Sequence, residues 1–143
     1  MMEKLARDFM TSDPACCRPH TMLDQVAKMM VQYDCGEIPI LDITDRPIGV
    51  VTDRDIVCRV VAERKSPMAH PAESCMSKVV VTVRADAPIR EVVSTMQHYQ
   101  VRRVPVVDAS GCCIGIISQA DVASVARSGQ LGELLREISR DDS

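Results

Sequence analysis

The sequence predicts a mixed α/β (α+β) fold made of two β-α-β-β-α repeats that pack as one body about a pseudo-twofold axis. The main observation is that the chain aligns with itself, without a gap, when it is shifted by 66 residues. The stretch "GVVTDRD" at 49–55 then falls on "GIISQAD" at 115–121. Each repeat also shows the same order of strand and helix patterns. A repeat of about fifty residues buries too little apolar surface to be stable alone, so the two are expected to pack together.

The first strand and the first helix of each repeat come from apolar patterns. "VVVTV" at 79–83 predicts a strand, and its counterpart "DPACC" at 13–17 is a much weaker strand pattern. The helix that follows has apolar residues at i, i+3, i+4 and i+7, which places them on one helical face. They are Leu23, Val26, Ala27 and Met30 in the first repeat, and Ile89, Val92, Val93 and Met96 in the second.

Two short strands and a second helix complete each repeat. "EIPILD" at 37–42 and "RVPVVD" at 103–108 contain a proline, which cannot donate to a ladder and so predicts a strand start or an edge position. After the turns "ITDRP" and "ASGCC" come the strands "IGVV" and "IGII". The second helix is indicated by the apolar residues Ile56, Val57, Val60 and Val61, and in the second repeat by Val122, Val125 and Ala126.

These patterns divide the chain into five parts. We expect an N-terminal extension over 1–7, a first repeat over 8–62, a polar linker over 63–73, a second repeat over 74–127 and a C-terminal amphipathic helix over 128–143. The last helix has Leu131, Leu134, Leu135 and Ile138 on one face, which is typical of a packing helix or a dimer contact.

Composition excludes several classes of function. The net charge is −3 and there is no basic run, so no nucleic-acid partner is expected. Trp is absent and only three residues are aromatic, which argues against a base-stacking surface. No segment reaches the roughly 18 consecutive apolar residues of a membrane span. The N-terminal stretch also lacks the apolar centre of a secretory signal, so we expect a cytoplasmic protein with no membrane partner.

The cysteines and histidines do not form a recognisable chemical site. The seven cysteines lack a CxxC spacing, and two pairs are adjacent: Cys16 with Cys17, and Cys112 with Cys113. We expect reduced, mostly buried thiols and assign no metal, with a thiol or metal sensor as an alternative function. The three histidines show no nucleophile–base pattern, and neither a P-loop nor a GxGxxG sequence is present. The protein is therefore not expected to be an enzyme.

The repeated turn has two compatible interpretations. Thr52 with Asp55, and Ser118 with Asp121, have the spacing of a capping box at the start of a helix. The same helix start offers free N–H groups to an anion, and an aspartate one turn in can accept the hydroxyls of a ribose. The glycines at 49 and 115 are expected to let a ligand approach the backbone. Hydroxyl, aspartate and glycine together indicate a nucleoside phosphate.

With these motifs the chain resembles the cystathionine-β-synthase (CBS) domain family, arranged as a tandem pair, over about residues 8–127. "GVVTDRDIV" and "HYQVRRVPVVD" are especially similar to small bacterial proteins that consist of little besides the pair. The resemblance implies a non-catalytic regulatory module that binds AMP, ADP, ATP, NAD or S-adenosylmethionine in clefts between the repeats, without an obligatory cofactor. It also implies a homodimer and a regulated protein that the sequence does not identify. A protein-interaction module with vestigial clefts is the alternative.

The resemblance also implies roles for individual residues. Asp55 and Asp121 would hold ribose, and Thr52 and Ser118 would lie beside the phosphates.

The remaining candidates lie around the strand that contains the proline. Arg102 and Arg103 occupy positions where the family often places phosphate-binding residues, whereas the first repeat has Gly36 and Glu37 there. A carboxylate repels phosphate, so the cleft that uses the two arginines is favoured, and solvated loop charges are the alternative. Either Asp55 or Asp121 could share that cleft, because the arginines could reach across the repeat or dimer interface. Lys78 is a further candidate for the phosphates. Adenine would contact Val79, Val80, Val104 and Ile117, for which an ordinary core role is the alternative.

Overall fold

The computed structural model describes residues 3–127 and confirms the α/β architecture with two sheets. In chain order the elements are α1 (Ala6–Phe9), β1 (Thr11–Ser12), α2 (Leu23–Tyr33), β2 (Glu37–Leu41), β3 (Pro47–Thr52), α3 (Asp53–Ile56), a π-helix (Val57–Val61), a 3-10 helix (Ala72–Ser74), β4 (Ser77–Lys78), β5 (Val83–Arg84), α4 (Ile89–Tyr99), β6 (Arg103–Val107), β7 (Cys113–Ser118) and α5 (Gln119–Ala126). Among residues 3–127, no helix is both long enough and apolar enough to cross a membrane.

The chain divides into two compact units. We call them the first-repeat unit, Pro14–Val79, and the second-repeat unit, which among the described residues comprises 3–13 and 80–127. The first-repeat unit thus includes residues 74–79, which belong to the second repeat, and the second-repeat unit includes residues 8–13, which belong to the first. The boundaries of the two units therefore differ from the repeat boundaries expected from the sequence, which are 8–62 and 74–127.

The first-repeat unit contains the three-stranded sheet β2-β3-β4, whose neighbouring strands are antiparallel. The predicted apolar face of α2 is buried on this sheet through Leu23, Val26 and Met30. Strand β2 is at one end of this sheet, so Pro39 has the edge position that the sequence predicts, and on the outer side of β2 the Cys17 N–H donates to the Pro39 carbonyl at 2.9 Å.

The second-repeat unit contains the four-stranded sheet β1-β7-β6-β5. Here the edge prediction for Pro105 is wrong, because β6 lies inside the sheet. The parallel partner β5 pairs only with Val106 and Val107, which lie beyond the proline. The missing N–H of Pro105 therefore falls outside the paired stretch.

The exchanged segments dock by the same contact in both units. Strand β4 pairs with β3 in the first, and β1 pairs with β7 in the second. A Cβ added at Gly49 would lie 2.9 Å from Cγ of Met76, and one at Gly115 would lie 2.9 Å from Cγ of Met10. These glycines were expected to leave room for a ligand. That expectation is wrong, because a methionine side chain fills the space.

The prediction of one continuous strand over 79–83 is wrong. Residues 79–82 are not in a strand, whereas Ser77–Lys78 and Val83–Arg84 are. The two short strands belong to different sheets, since β4 pairs with β3 and β5 pairs with β6. The apolar run is split because the chain passes from one unit to the other between residues 79 and 80.

The second helix of the first repeat also differs from expectation. After α3 the chain continues as a π-helix, in which the N–H of Ala62 donates to the carbonyl of Val57 at 2.9 Å. The wider turn buries Val60 but leaves Val57 57% and Val61 62% exposed. The helix predicted over 128–143, with its apolar face at Leu131, lies outside the described residues.

Candidate functional site

Both repeated turns form complete capping boxes. In the first-repeat unit the Asp55 N–H donates to Oγ1 of Thr52 at 3.0 Å, and the Thr52 N–H donates to Oδ2 of Asp55 at 2.9 Å. In the second-repeat unit the Asp121 N–H donates to Oγ of Ser118 at 3.1 Å, and the Ser118 N–H donates to Oδ2 of Asp121 at 2.8 Å. The capping interpretation is confirmed. Each box fixes one carboxylate oxygen and leaves Oδ1 outside it.

The first residues of the preceding strand lie beside each box. Glu37 is the ladder partner of Thr52, and Arg103 is the ladder partner of Ser118. The residue before each strand is also bound to the helix start: the Asp53 N–H donates to the Gly36 carbonyl at 2.9 Å, and the Gln119 N–H donates to the Arg102 carbonyl at 2.8 Å. The structure thus brings together four residues predicted from the sequence, namely Arg102, Arg103, Ser118 and Asp121.

The two sites differ in charge. The site of the first-repeat unit has Glu37, with a buried Oε2, and the acidic residues Asp53 and Asp55. A Cβ at Gly36 would lie 3.1 Å from Oδ2 of Asp53, so this carboxylate covers the position that Arg102 has in the other unit. The first site thus has three carboxylates, of which Asp55 faces the guanidinium group of Arg59, whereas the second combines one aspartate with two arginines, which favours anion binding at the second.

Lys78 and Val79 lie in the first-repeat unit, away from the strand to which the sequence assigned them. Lys78 pairs with Gly49, and the Val79 N–H donates to the Ile48 carbonyl at 3.0 Å. Val80 belongs to the second-repeat unit and is 62% exposed. Lys78 is therefore in the strand that pairs with Gly49 and Val50, in the same unit as Thr52.

Val104 and Ile117 are fully buried in the core of the second-repeat unit, where they are ladder partners. Their burial corresponds to the core role that the sequence left open for them. Of the four valine and isoleucine candidates for adenine contact, Val80 is the one with a largely exposed side chain, and the contact itself stays a prediction.

Arg59 is a residue of this region that the sequence reasoning missed. Its Nε lies 3.9 Å from Oδ1 of Asp55, and its Nη1 donates to the carbonyls of Cys75 at 3.1 Å and Met76 at 3.4 Å. The available signal was the spacing of four residues between an aspartate and an arginine within a predicted helix. The second repeat has Val125 at the matching position.

The aspartates that end the proline-containing strand motif have a structural role. Asp42 accepts hydrogen bonds from the Thr44 N–H at 2.8 Å and the Thr44 hydroxyl at 2.7 Å. The hydrogen bond from the Thr44 hydroxyl, followed by that from the Arg46 backbone, lowers the pKa of Asp42. Asp108 likewise accepts from the Ser110 N–H at 2.9 Å. Both residues stabilise turns between strands.

All seven cysteines are free thiols, but the expectation that most are buried is wrong: only Cys17 and Cys75 are buried, and Cys58 is exposed. Burial raises the pKa of the Cys17 thiol to about 11. Burial also raises the pKa of the Cys75 thiol, and the nearby Asp55 carboxylate adds to this effect. Within residues 3–127, no three His, Cys, Asp or Glu side chains are placed to hold a metal ion.

The chain matches one domain family and several known proteins over most of its length. The model of the CBS domain matches the chain twice, over residues 6–62 and 72–128. Hypoxic response protein 1 of Mycobacterium tuberculosis is 36% identical over 118 residues, which are 82% of each chain. Its crystal structure, with two coordinated zinc ions, matches with a TM-score of 0.73 over 85% of this chain and 98% of that one.

Two further proteins are similar over most of this chain. The uncharacterized protein MK0525 of Methanopyrus kandleri is 35% identical over 123 residues, which are 86% of this chain and 60% of that protein. The CBS domain pair of protein MJ0100, in complex with 5′-methylthioadenosine and S-adenosyl-L-methionine, is 25% identical and matches with a TM-score of 0.72 over 85% of this chain and 98% of that one.

Proposed function

The chain belongs to the CBS domain family, and from this premise we propose that it is a non-catalytic regulatory module whose ligand is an adenosine-containing nucleotide. The observation that carries the proposal is the repeated capping box, which holds an aspartate at the start of a helix with Oδ1 outside the box. A ribose presents two adjacent hydroxyl donors, and a fixed carboxylate is a suitable acceptor for them. The MJ0100 pair, which binds two adenosine derivatives, supports the same ligand class.

We propose that the second-repeat unit provides the groups that bind the phosphates. Its Arg102 and Arg103 are always cationic, and Ser118 keeps a hydroxyl proton to donate because its oxygen accepts in the capping box. The corresponding positions of the first-repeat unit carry Gly36 and Glu37. A ligand with phosphate groups is therefore expected to depend on the arginines, and Asp55 is expected to serve a ligand with little negative charge.

Three further parts of the proposal rest on the family. Asp55 and Asp121 bind ribose, Lys78 is a further candidate to bind a phosphate group, and Val79 and Val80 contact adenine. The protein acts as a homodimer, and it regulates a separate protein by a change of conformation or assembly. Exposed apolar side chains on the π-helix, at Val57 and Val61, support the presence of a protein contact.

The experiment is calorimetric titration of AMP, ADP, ATP, NAD and S-adenosylmethionine into nucleotide-free protein. Asp121→Asn and Asp55→Asn are the informative variants, because asparagine keeps an acceptor for the capping box and loses the charge. We expect micromolar binding of at least one ligand and a loss of about tenfold or more in one variant. Absence of binding for every ligand would overturn the nucleotide proposal and favour the interaction module. Metal analysis of the same sample tests the thiol or metal sensor.

A further inference from the structure

We propose that Arg59 couples a ligand at Asp55 to the chain segment 75–78, which begins the second repeat but packs in the first-repeat unit. The inference rests on the proposed function and adds a regulatory role for one of its two sites. It concerns the first-repeat unit only, which contains every residue of the coupling.

The guanidinium group of Arg59 connects two parts of the unit. On one side its Nε faces Oδ1 of Asp55 at 3.9 Å, and on the other its Nη1 donates to the carbonyls of Cys75 and Met76 at 3.1 and 3.4 Å. The Asp55 side chain is only 15% exposed, so its charge is less screened than that of a surface pair. The contacts of Arg59 with Asp55 and with the Cys75 carbonyl place the three residues close together, and burial, followed by the charge of Asp55, raises the pKa of the Cys75 thiol.

The atom of Asp55 that faces Arg59 is the one that a ligand would use. Oδ2 is occupied by the Thr52 N–H at 2.9 Å, so a ribose hydroxyl that binds this carboxylate donates to Oδ1. A hydrogen-bonded Oδ1 attracts the guanidinium group less strongly than before. Arg59 then loses its anchor on the helix, and its hydrogen bonds to the two carbonyls weaken. Ligand binding is thereby expected to loosen segment 75–78.

The second-repeat unit does not have this connection. At the position of Arg59 it has Val125, which packs against the same core as Phe9 and Met10, the counterparts of Cys75 and Met76. An apolar contact of this kind does not respond to the charge of Asp121. We therefore assign the coupling to the first repeat, and the two ligand positions are expected to have different consequences.

The test is hydrogen–deuterium exchange of peptides that cover residues 72–80, with and without S-adenosylmethionine, an adenosyl ligand that has no phosphate and therefore suits the site of Asp55. Wild type is compared with Arg59→Gln, with Arg59→Lys, which keeps a cationic donor, and with Lys28→Gln, a charge-matched change on the exposed surface of α2. Peptides from β6 and β7 in the other unit serve as the internal reference.

Without ligand, Arg59→Gln is expected to speed exchange of residues 75–79 on the order of fivefold, which is the ratio that loss of one hydrogen bond produces. Arg59→Lys and Lys28→Gln are expected to stay within about twofold of wild type. S-adenosylmethionine is expected to speed exchange in wild type and to have no effect in Arg59→Gln.

Two results would overturn the coupling alone: exchange in ligand-free Arg59→Gln as slow as in wild type, or an equal effect of S-adenosylmethionine on both proteins. Failure of every adenosyl ligand to bind wild type in calorimetry would overturn the proposed function and the ligand coupling together. The ligand-free comparison distinguishes these cases, because it measures how far Arg59 slows exchange of residues 75–79 when no ligand is present.

Discussion

Replacement of Gly49 by alanine tests the docking of the exchanged segment in the first-repeat unit. The new methyl group would lie 2.9 Å from Cγ of Met76, which is closer than real Cβ contacts. Because the neighbours are a strand and a half-buried methionine, the added group forces a shift that costs about 1–3 kcal/mol, the usual range for overpacking. For a chain of 143 residues this corresponds to a fall in the melting temperature of about 3–9 °C.

The assay is thermal unfolding of Gly49→Ala, Met76→Ala and the double variant. Met76→Ala removes half-buried atoms and is expected to cost about 1–2 kcal/mol. The double variant should be more stable than the sum of the single changes by about 1 kcal/mol or more, because the clash requires both side chains. Gly36→Ala is the matched control: its Cβ lies 3.1 Å from the end of the Asp53 side chain, which can rotate away. Strict additivity of Gly49→Ala and Met76→Ala would refute the packing of residues 72–79 on β3.

Three further changes test individual assignments. Ser118→Ala removes the cap of α5 and should cost about 1 kcal/mol in urea unfolding, whereas Ser124→Ala, on the exposed surface of the same helix, should be within about 0.5 kcal/mol of wild type; equal effects would contradict the cap. Ile117→Ala should cost about 2–5 kcal/mol and the exposed Val80→Ala less than about 0.5 kcal/mol, and a mild Ile117→Ala would contradict its core role. The pKa of Cys17 is raised from 9.0 to about 11, so its contribution to stability is complete below pH 9 and is lost as the pH rises to about 11, a loss of about 2–3 kcal/mol. The difference in stability between wild type and Cys17→Ala should therefore shrink across this range, and a difference independent of pH would contradict the burial of the thiol.

Most elements could be predicted from the sequence because their signals are local. The faces of α2 and α4 follow from apolar spacing, and the capping boxes follow from a hydroxyl and an aspartate three residues apart. Asp55 and Asp121 were therefore placed correctly at helix starts. The sequence also placed Arg102 and Arg103 at the start of the strand that contains Pro105, but it left open which aspartate lies beside them, because the pairing of Arg103 with Ser118 depends on the register of the sheet.

The errors arise where a residue's role depends on contacts distant in the sequence. The apolar run at 79–83 carries no sign that its two ends pair with different sheets. The role of Gly49 and Gly115 was misread for the same reason, since Met76 and Met10 approach them from the exchanged segments. The two methionines are 66 residues apart, as are the two glycines. This shared spacing could have indicated that each glycine packs against a methionine. Arg59 was missed because its partners, the carbonyls of residues 75 and 76, lie at the start of the second repeat, 16 and 17 residues further along the chain.

The most direct test of the central claim compares the affinity of wild type for AMP and for 2′,3′-dideoxy-AMP, and repeats the comparison with Asp121→Asn. If the Asp121 carboxylate holds the ribose, removal of the hydroxyls should weaken binding to wild type by about tenfold or more. The same removal should have little effect on Asp121→Asn, because the charged acceptor is already absent. Equal affinity of wild type for the two nucleotides, or no binding of either, would contradict the account.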